Sequence, residues 1–574
     1  MSRISRRGFL LSSTATAIGL IGSAPASAAR GSETRQRAVR TAGTTLDTVA
    51  TPVGDVGYRR LTAGPGWPLV PRRELLPSPP RTDRDDRRTP LASFVQFTDL
   101  HLADAQSPMR FEYLHPLIGS ASRPHEALSP LGAAALVEQV NEVAGGPFTG
   151  RGFDALVCTG DNTDNHETVE LDWYLAVLNG GTITPNTGDP TTYEGTQNSG
   201  APLYWNPDSP LPDTFKDVGF PHLPGLLDAA IRPFRSPGLR VPWYSTFGNH
   251  DDSVVGTLPS DQPLLEATYT GDRKIMSMPD AESRRLAAEL NRDGSRAHEV
   301  LHRSWGFSRS VTSDPRRKPF SPREFVAAHL RPESTGPGPV GHGFTEQHLA
   351  ENTAYYTFPI APGVLGISLD STNRGGFTDG SLGSEQLDWL ERVLVAGSSR
   401  YYDSDGRLTR HPADDQLFVV FSHHTSATMG NLLPDPDRPF EQRHGGDRVL
   451  DLLHRFPNVL AWVNGHTHQN RILPHAGDDA ERGFWEINTA SHVDYPQHAR
   501  ILEITDNADG TLSLFTTLIE SAADYGGQPG DLSQAGLGSL YRELAFNDIH
   551  PDPARTGEAA DHNTELLLAN PLAK

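Results

Sequence analysis

Phe94-Val95-Gln96-Phe97-Thr98-Asp99-Leu100-His101 is a β-prone apolar run that ends on an aspartate and a histidine. The same arrangement returns along the 574 residues. The run over 153–158 meets Gly160-Asp161-x-x-Asp164, and the run over 241–247 meets Gly248-Asn249-His250-Asp251. The run over 417–421 meets His423-His424, and the run over 459–463 meets Gly465-His466-x-His468. Each cluster falls where a strand ends, and each holds residue types that bind metal. Together they describe a site for two metal ions, gathered from several strand ends.

The residue types set the chemistry. Asp99 and His101 are two apart, and on an extended chain such residues point the same way, so both reach one ion. His466 and His468 repeat that spacing. Gly160 lets backbone approach closely, and the single carboxylate of Asp161 is able to bridge two ions. Asn249 offers a neutral amide oxygen. Asp, His and Asn donors suit Mn, Fe or Zn. Cys158 is the one cysteine, which excludes thiolate sites and any intramolecular disulfide. It lies in Ala155-Leu156-Val157-Cys158-Thr159 and reads as a small core hydrophobe.

Working outward, the spacing of apolar residues predicts helices over 131–143, 384–395 and 447–456. Residues 355–370 hold two strands broken by Ala361-Pro362-Gly363, and further strands are expected over 484–488, 499–505 and 512–519. Strand, loop and helix alternate, which places the chain in the α/β class. Two stretches interrupt the rhythm, 165–240 and 252–353. Both follow site clusters directly, so both are expected to wall the substrate pocket. The compact domain should span 91–521. Residues 30–90, polar and rich in Arg and Pro, read as an extension or linker with a short hairpin over 58–70. Residues 522–574 read as a tail with one helix over 537–545.

Residues 1–29 stand apart. Ser5-Arg6-Arg7-Gly8-Phe9-Leu10 is a twin-arginine motif, followed by an apolar stretch over 10–21 and an Ala26-Ser27-Ala28 cleavage site. The apolar stretch is shorter than the roughly 20 residues a spanning helix needs. The expectation is export by the twin-arginine machinery, no stable membrane span in the mature protein, and a secreted, periplasmic or cell-wall location. That route exports folded proteins, so metal can be loaded beforehand. The formal charge of −21 argues against a nucleic-acid or anionic-membrane surface. An anionic substrate needs a strong local cation, and bound metal supplies one.

FTDLH, TGDNTD, FGNHD, SHH and NGHTH together resemble the calcineurin-like metallophosphoesterases, whose pattern is DxH, GDxxD, GNHD/E, H and GHxH. The resemblance runs from Phe94 to Gln469. It implies a four-layer α/β/β/α sandwich with two mixed β-sheets and a site at one end. It implies that Asp99, His101 and His468 hold one ion, that Asn249, His423 and His466 hold the second, and that Asp161 bridges them. His423 is preferred to His424 because the family often reads H-x-P with the first position the ligand, although this chain lacks the proline. His250 would be the catalytic histidine that binds no metal, protonated to stabilise the transition state or the leaving alkoxide, and Asp251 would orient it. Asp164 is either an acceptor for a metal-binding histidine or a surface carboxylate. Arg110 is either a contact for substrate phosphate or an exposed arginine, and Thr372-Asn373-Arg374-Gly375-Gly376 is a second candidate pocket loop. The implied activity is hydrolysis of a phosphomonoester or phosphodiester by a hydroxide shared between two ions. The substrate could be a small molecule, a lipid or a nucleotide. Two rivals remain: a metal- or phosphate-binding surface protein without turnover, and a nucleotide or lipid pyrophosphatase using the same site.

Overall fold

The computed structural model describes residues 39–260, 265–290, 296–334 and 336–573. The export signal expected over 1–29 lies outside them. Two mixed sheets make up the body. Their strands, in chain order, are β1 (Val70–Arg72), β2 (Thr89–Phe97), β3 (Ala155–Thr159), β4 (Trp243–Thr246), β5 (Tyr356–Ala361), β6 (Val364–Ser368), β7 (Leu417–Phe421), β8 (Val459–Asn464), β9 (Arg471–His475), β10 (Phe484–Asn488), β11 (Ala499–Asp506), β12 (Thr511–Ile519) and β13 (Thr564–Ala569). One sheet has the order β1-β13-β12-β11-β2-β3-β4, the other β5-β6-β7-β8-β10-β9.

Parallel neighbours need crossovers, and helices supply them. Helix α1 (Ser129–Val143) joins β2 to β3, and α2 (Thr168–Asn179) lies between β3 and β4. In the second sheet α3 (Ser384–Ala396) joins β6 to β7, and α4 (Gly446–Leu453) joins β7 to β8. Helix α5 (Gln534–Phe546) packs beside α1. Among the described residues no helix is long and apolar enough to cross a membrane.

Strand periodicity sorts the faces. On β7, Phe418 and Val420 cluster with Leu387, Leu390 and Leu394 of α3 and Val449 of α4. The alternate residues Leu417, Val419 and Phe421 face the first sheet and join its core. There Phe421 meets Phe94 edge-on at 5.8 Å, and Tyr244 stacks on Phe358 at 4.0 Å. The result is helices, sheet, sheet, helices, as the motifs implied.

Described segments from both flanks of the expected domain enter this body. The stretch read as a linker supplies β1, which pairs with β13 from the stretch read as a tail. The hairpin expected over 58–70 is instead Thr48–Val53 paired with Arg60–Pro65. Pairing, rather than composition, decides these segments. Their strands are short and become strands only because an edge is offered to them.

Phe421→Ala removes the ring that touches both Phe94 and Phe358. Deleting a buried aromatic costs about 3–5 kcal/mol. Thermal unfolding should show a lowered midpoint with the metal content of the folded protein retained.

Candidate metal centre

In each sheet the strands leading to the clusters are parallel, so their carboxyl ends lie along one edge. Gln96, fully buried, ties the two edges together. Its amide donates to Thr159 Oγ1 at 2.9 Å and to the Asn464 carbonyl at 2.8 Å, and its oxygen accepts from Thr489 at 2.6 Å. Above this clamp the five clusters meet.

The glycines of the motifs explain how they come so close. A Cβ on Gly160 would lie 2.7 Å from His423 Nδ1, and one on Gly465 would lie 2.4 Å from Asp99 Oδ2. A Cβ on Gly248 would lie 2.3 Å from Asp161 Oδ1. Each glycine is therefore the gap into which a functional side chain of another strand fits.

Contrary to what their spacing of two suggests, Asp99 and His101 do not share a direction through strand pleating. These residues are not extended: φ is +50° at Asp99 and +43° at His101, and Asp161, His466 and His468 are left-handed too, at +49°, +72° and +56°. Such conformations cost an ordinary residue about 1–3 kcal/mol each and gather at functional sites. The chain turns sharply after each strand, and the turn, not the pleat, aims the side chains.

Two groups of donor atoms result. His468 Nε2 lies 3.2 Å from Asp99 Oδ1 and 3.3 Å from His101 Nε2, which is itself 3.6 Å from Asp161 Oδ2. On the other side His423 Nε2 lies 3.1 Å from Asp161 Oδ2 and 3.2 Å from His466 Nδ1, and His466 Nδ1 lies 3.1 Å from Asn249 Oδ1. Asp161 belongs to both. Donors about 2.0–2.2 Å from one ion stand about 3.0–3.5 Å apart in tetrahedral or octahedral geometry, so the spacing is that of a coordination shell.

The tautomers agree. His101 donates Nδ1–H to Asp164 at 2.8 Å, His468 donates to Asp494 at 2.5 Å, and His423 donates to the Thr159 carbonyl at 2.9 Å. Each Nε2 points inward, where a metal ion would take the place of any proton it carries, which is how a metal-binding histidine is held. His424 is differently placed. Its Nδ1 meets Ser371 at 2.8 Å and its Nε2 donates to the Thr378 carbonyl at 2.9 Å, so both nitrogens are engaged away from Asp161.

Electrostatics point the same way. Burial works against charge on Asp161, but His423 beside it holds its carboxyl far below the usual range. Burial also lowers His423, yet Asp161 beside it lifts the imidazole to about 9. The buried carboxylates call for positive charge at the centre of the cluster. The donors present fit two ions.

His250 sits at the edge of this cluster with its side chain 22% exposed. Nδ1–H donates to the Asp164 carbonyl at 2.8 Å, which leaves Nε2 as the ring's free nitrogen. Burial lowers its pKa well below that of a free histidine, so the resting ring is neutral rather than protonated. Asp251 does not orient it. Its carboxylate accepts from the backbone of Asn162, Thr163 and Gly248 at 3.0–3.2 Å, so it locks the 160–163 turn instead. A carboxylate with that many backbone donors has no lone pair aimed at the imidazole.

Asp164 is buried and paired with Arg110, which also donates to Glu126 at 2.6 Å. Arg110 is thus neither exposed nor free for phosphate. Asp494 and Arg123 were not legible as site residues. Arg123 grips Asp494 at 2.6 and 3.1 Å, and Arg555 reaches the same carboxylate at 3.1 Å. Asp494 follows β10, which is parallel to β8, so the strand-end rule applied to 484–488 would have found it.

No model of a known protein family matches the chain, and no curated protein matches it. Among solved structures, a dimetal phosphatase from Danio rerio aligns over 75% of this chain and 100% of its own, at 12% identity and a TM-score of 0.34. A purple acid phosphatase, PPD1, from yellow lupin (Lupinus luteus) seeds aligns over 80% of this chain, at 9% identity and a TM-score of 0.27. This chain spans about half (53%) of the lupin protein's length. It is the site's own geometry that carries the functional argument.

Loss of an anchor behind a metal-binding histidine typically lowers metal affinity about 10–100-fold. Asp494→Asn should do so here, in a titration against a chelator-buffered Mn series, with the secondary structure by circular dichroism unchanged.

Proposed function

We propose that the protein is a metal-dependent phosphoesterase with a dinuclear centre, acting on a phosphomonoester or phosphodiester. The observation that supports it best is the pair of donor groups sharing Asp161, at coordination-shell spacing, beside a histidine that is anchored outside the shell. Asp99, His101 and His468 would hold one Mn, Fe or Zn ion and Asn249, His423 and His466 the other. The ions supply Lewis-acid charge and a water of lowered pKa.

The chain's own residues do the rest. Asp161 would serve both ions with one carboxylate, and Asn249 would add a neutral oxygen. Gly256 accepts from Asn249 Nδ2 at 2.9 Å, which fixes which end of the amide faces inward. His250 Nε2 exchanges a proton at the reacting oxygen. An anionic phosphoester nearby favours the protonated ring that burial otherwise disfavours. Hydrolysis adds water across the P–O bond: phosphorus takes the water oxygen, and the alcohol leaves with a proton. The twin-arginine motif at residues 5–10 supports action outside the cytoplasm.

Asp161→Asn should lose metal at both positions, because one carboxylate serves two ions. His250→Ala should keep both ions and lose about 10²–10⁴-fold in kcat. Metal counting by mass spectrometry, beside hydrolysis of p-nitrophenyl and bis(p-nitrophenyl) phosphate, separates the two. Full metal content and full activity in either variant would refute the assignment.

A further inference from the structure

The donor cluster opens into a cavity of about 910 Å³, far larger than a phosphate needs. Its polar end is the site already described. Besides the donors and polar groups such as Asp379, Asn431 and Asp552, the cavity holds a set of apolar side chains in its lining. Phe111, Leu114 and Ile118 line it from the stretch after β2, Val255 from the turn after Asp251, Phe377 from the loop after β6, and Leu433 from the loop after β7.

Two of these side chains are held there against local preference. Val255 has φ +45° and Phe377 has φ +70°, left-handed values that a β-branched or bulky residue rarely adopts. Their turns are bonded to each other and to the metal site. Phe377 N–H donates to the Thr257 carbonyl at 2.6 Å, and Asn249 donates to Gly256 in the same turn. The strained backbone thus places apolar surface at a set distance from the phosphorus position. Leu433 is 45% exposed at the cavity, where nothing in the described fold covers it.

The guanidinium groups in the lining give the complementary observation. Arg110 is taken by Glu126 and Asp164, Arg123 by Asp494, and Arg555 by Asp494. Arg555 is only partly engaged: its Nη1 meets Asp494 at 3.1 Å, and its Nε lies 4.0 Å from Asp552. A leaving group lying against these apolar side chains would have its charge or hydroxyls without partners there, at a cost, although Ser120, Thr378, Asp379, Asn431 and Asp552 also line the cavity.

Resting on the phosphoesterase reading, we infer that the alcohol portion of the substrate is hydrocarbon. The site takes an alkyl phosphoester whose chain lies along Phe111, Ile118, Val255 and Phe377. Burial of the chain contributes binding energy, and the metal end performs the hydrolysis.

The test is a series of alkyl phosphates, ethyl to decyl, read by phosphate release from the metal-loaded enzyme. Alkylphosphonates of the same lengths serve as non-hydrolysable competitors and as calorimetric ligands. KM and phosphonate Kd should fall about threefold per added methylene until the cavity is full. Phe377→Ala and Ile118→Asn, on separate segments of the lining, should each flatten that slope. A flat series, or a lower KM for glycerol phosphate or a nucleoside monophosphate than for the octyl ester, would overturn the inference and leave phosphoester hydrolysis standing. No turnover of any ester with two ions bound would overturn the phosphoesterase reading instead, and the phosphonate titration would still decide the chain-length dependence.

Discussion

Lone pairs from four imidazoles, an amide and two carboxylates point at one another across 3.1–3.8 Å in a buried space. Without positive charge between them such an arrangement is unfavourable, and nothing local holds it. It exists because the strand edges of two sheets are pressed together from below. Gln96 bonds both edges, and the aromatic contacts of Phe94, Phe421 and Phe358 keep the sheets in register. Five left-handed residues add strain at the same place, about 1–3 kcal/mol each. A large core offsets that strain, and bound metal would relieve the repulsion among the donors.

Function then divides by depth in one cavity. Among the donor histidines at the polar end, His101, His423 and His468 each have a partner behind the ring, so those orientations are set before any ligand arrives. At the other end, two strained turns project hydrocarbon. The insertion over 252–353 contributes to this wall through Val255, Thr257 and Leu290. The insertion over 165–240 does not line the cavity. Its aromatic residues, such as Tyr193, Tyr204 and Trp205, are buried against the body. The expectation that both insertions wall the pocket therefore holds for one of them.

Much of the architecture was legible. The runs over 417–421 and 484–488 are strands at those bounds, and the helices over 131–143 and 384–395 begin and end within two residues of expectation. These are long or strongly patterned segments, buried on both faces or on one stripe, where local pattern and tertiary environment agree. The strands Val70–Arg72, Arg471–His475 and Thr564–Ala569 were not legible. They lie at or near sheet edges and owe their conformation to a neighbour's unpaired backbone groups rather than to their own side chains. The same limit explains Asp251, whose place in its motif suggests a partner for His250. The backbone amides of a turn 89 residues earlier in the chain claim it first.

By itself the sequence determined which residue types stand at the strand ends, and with them a donor set that fits two metal ions, because donor type and strand-end position are both local properties. It also determined the glycines, since only a residue without a side chain admits a neighbouring strand so closely. Tertiary structure alone decided which carboxylate backs which histidine, that His424 and Arg110 are engaged elsewhere, and that Phe111, Ile118, Val255 and Phe377 line one cavity with the donors. Those outcomes depend on contacts between segments tens to hundreds of residues apart, and no periodicity or spacing records which distant group reaches a buried donor first.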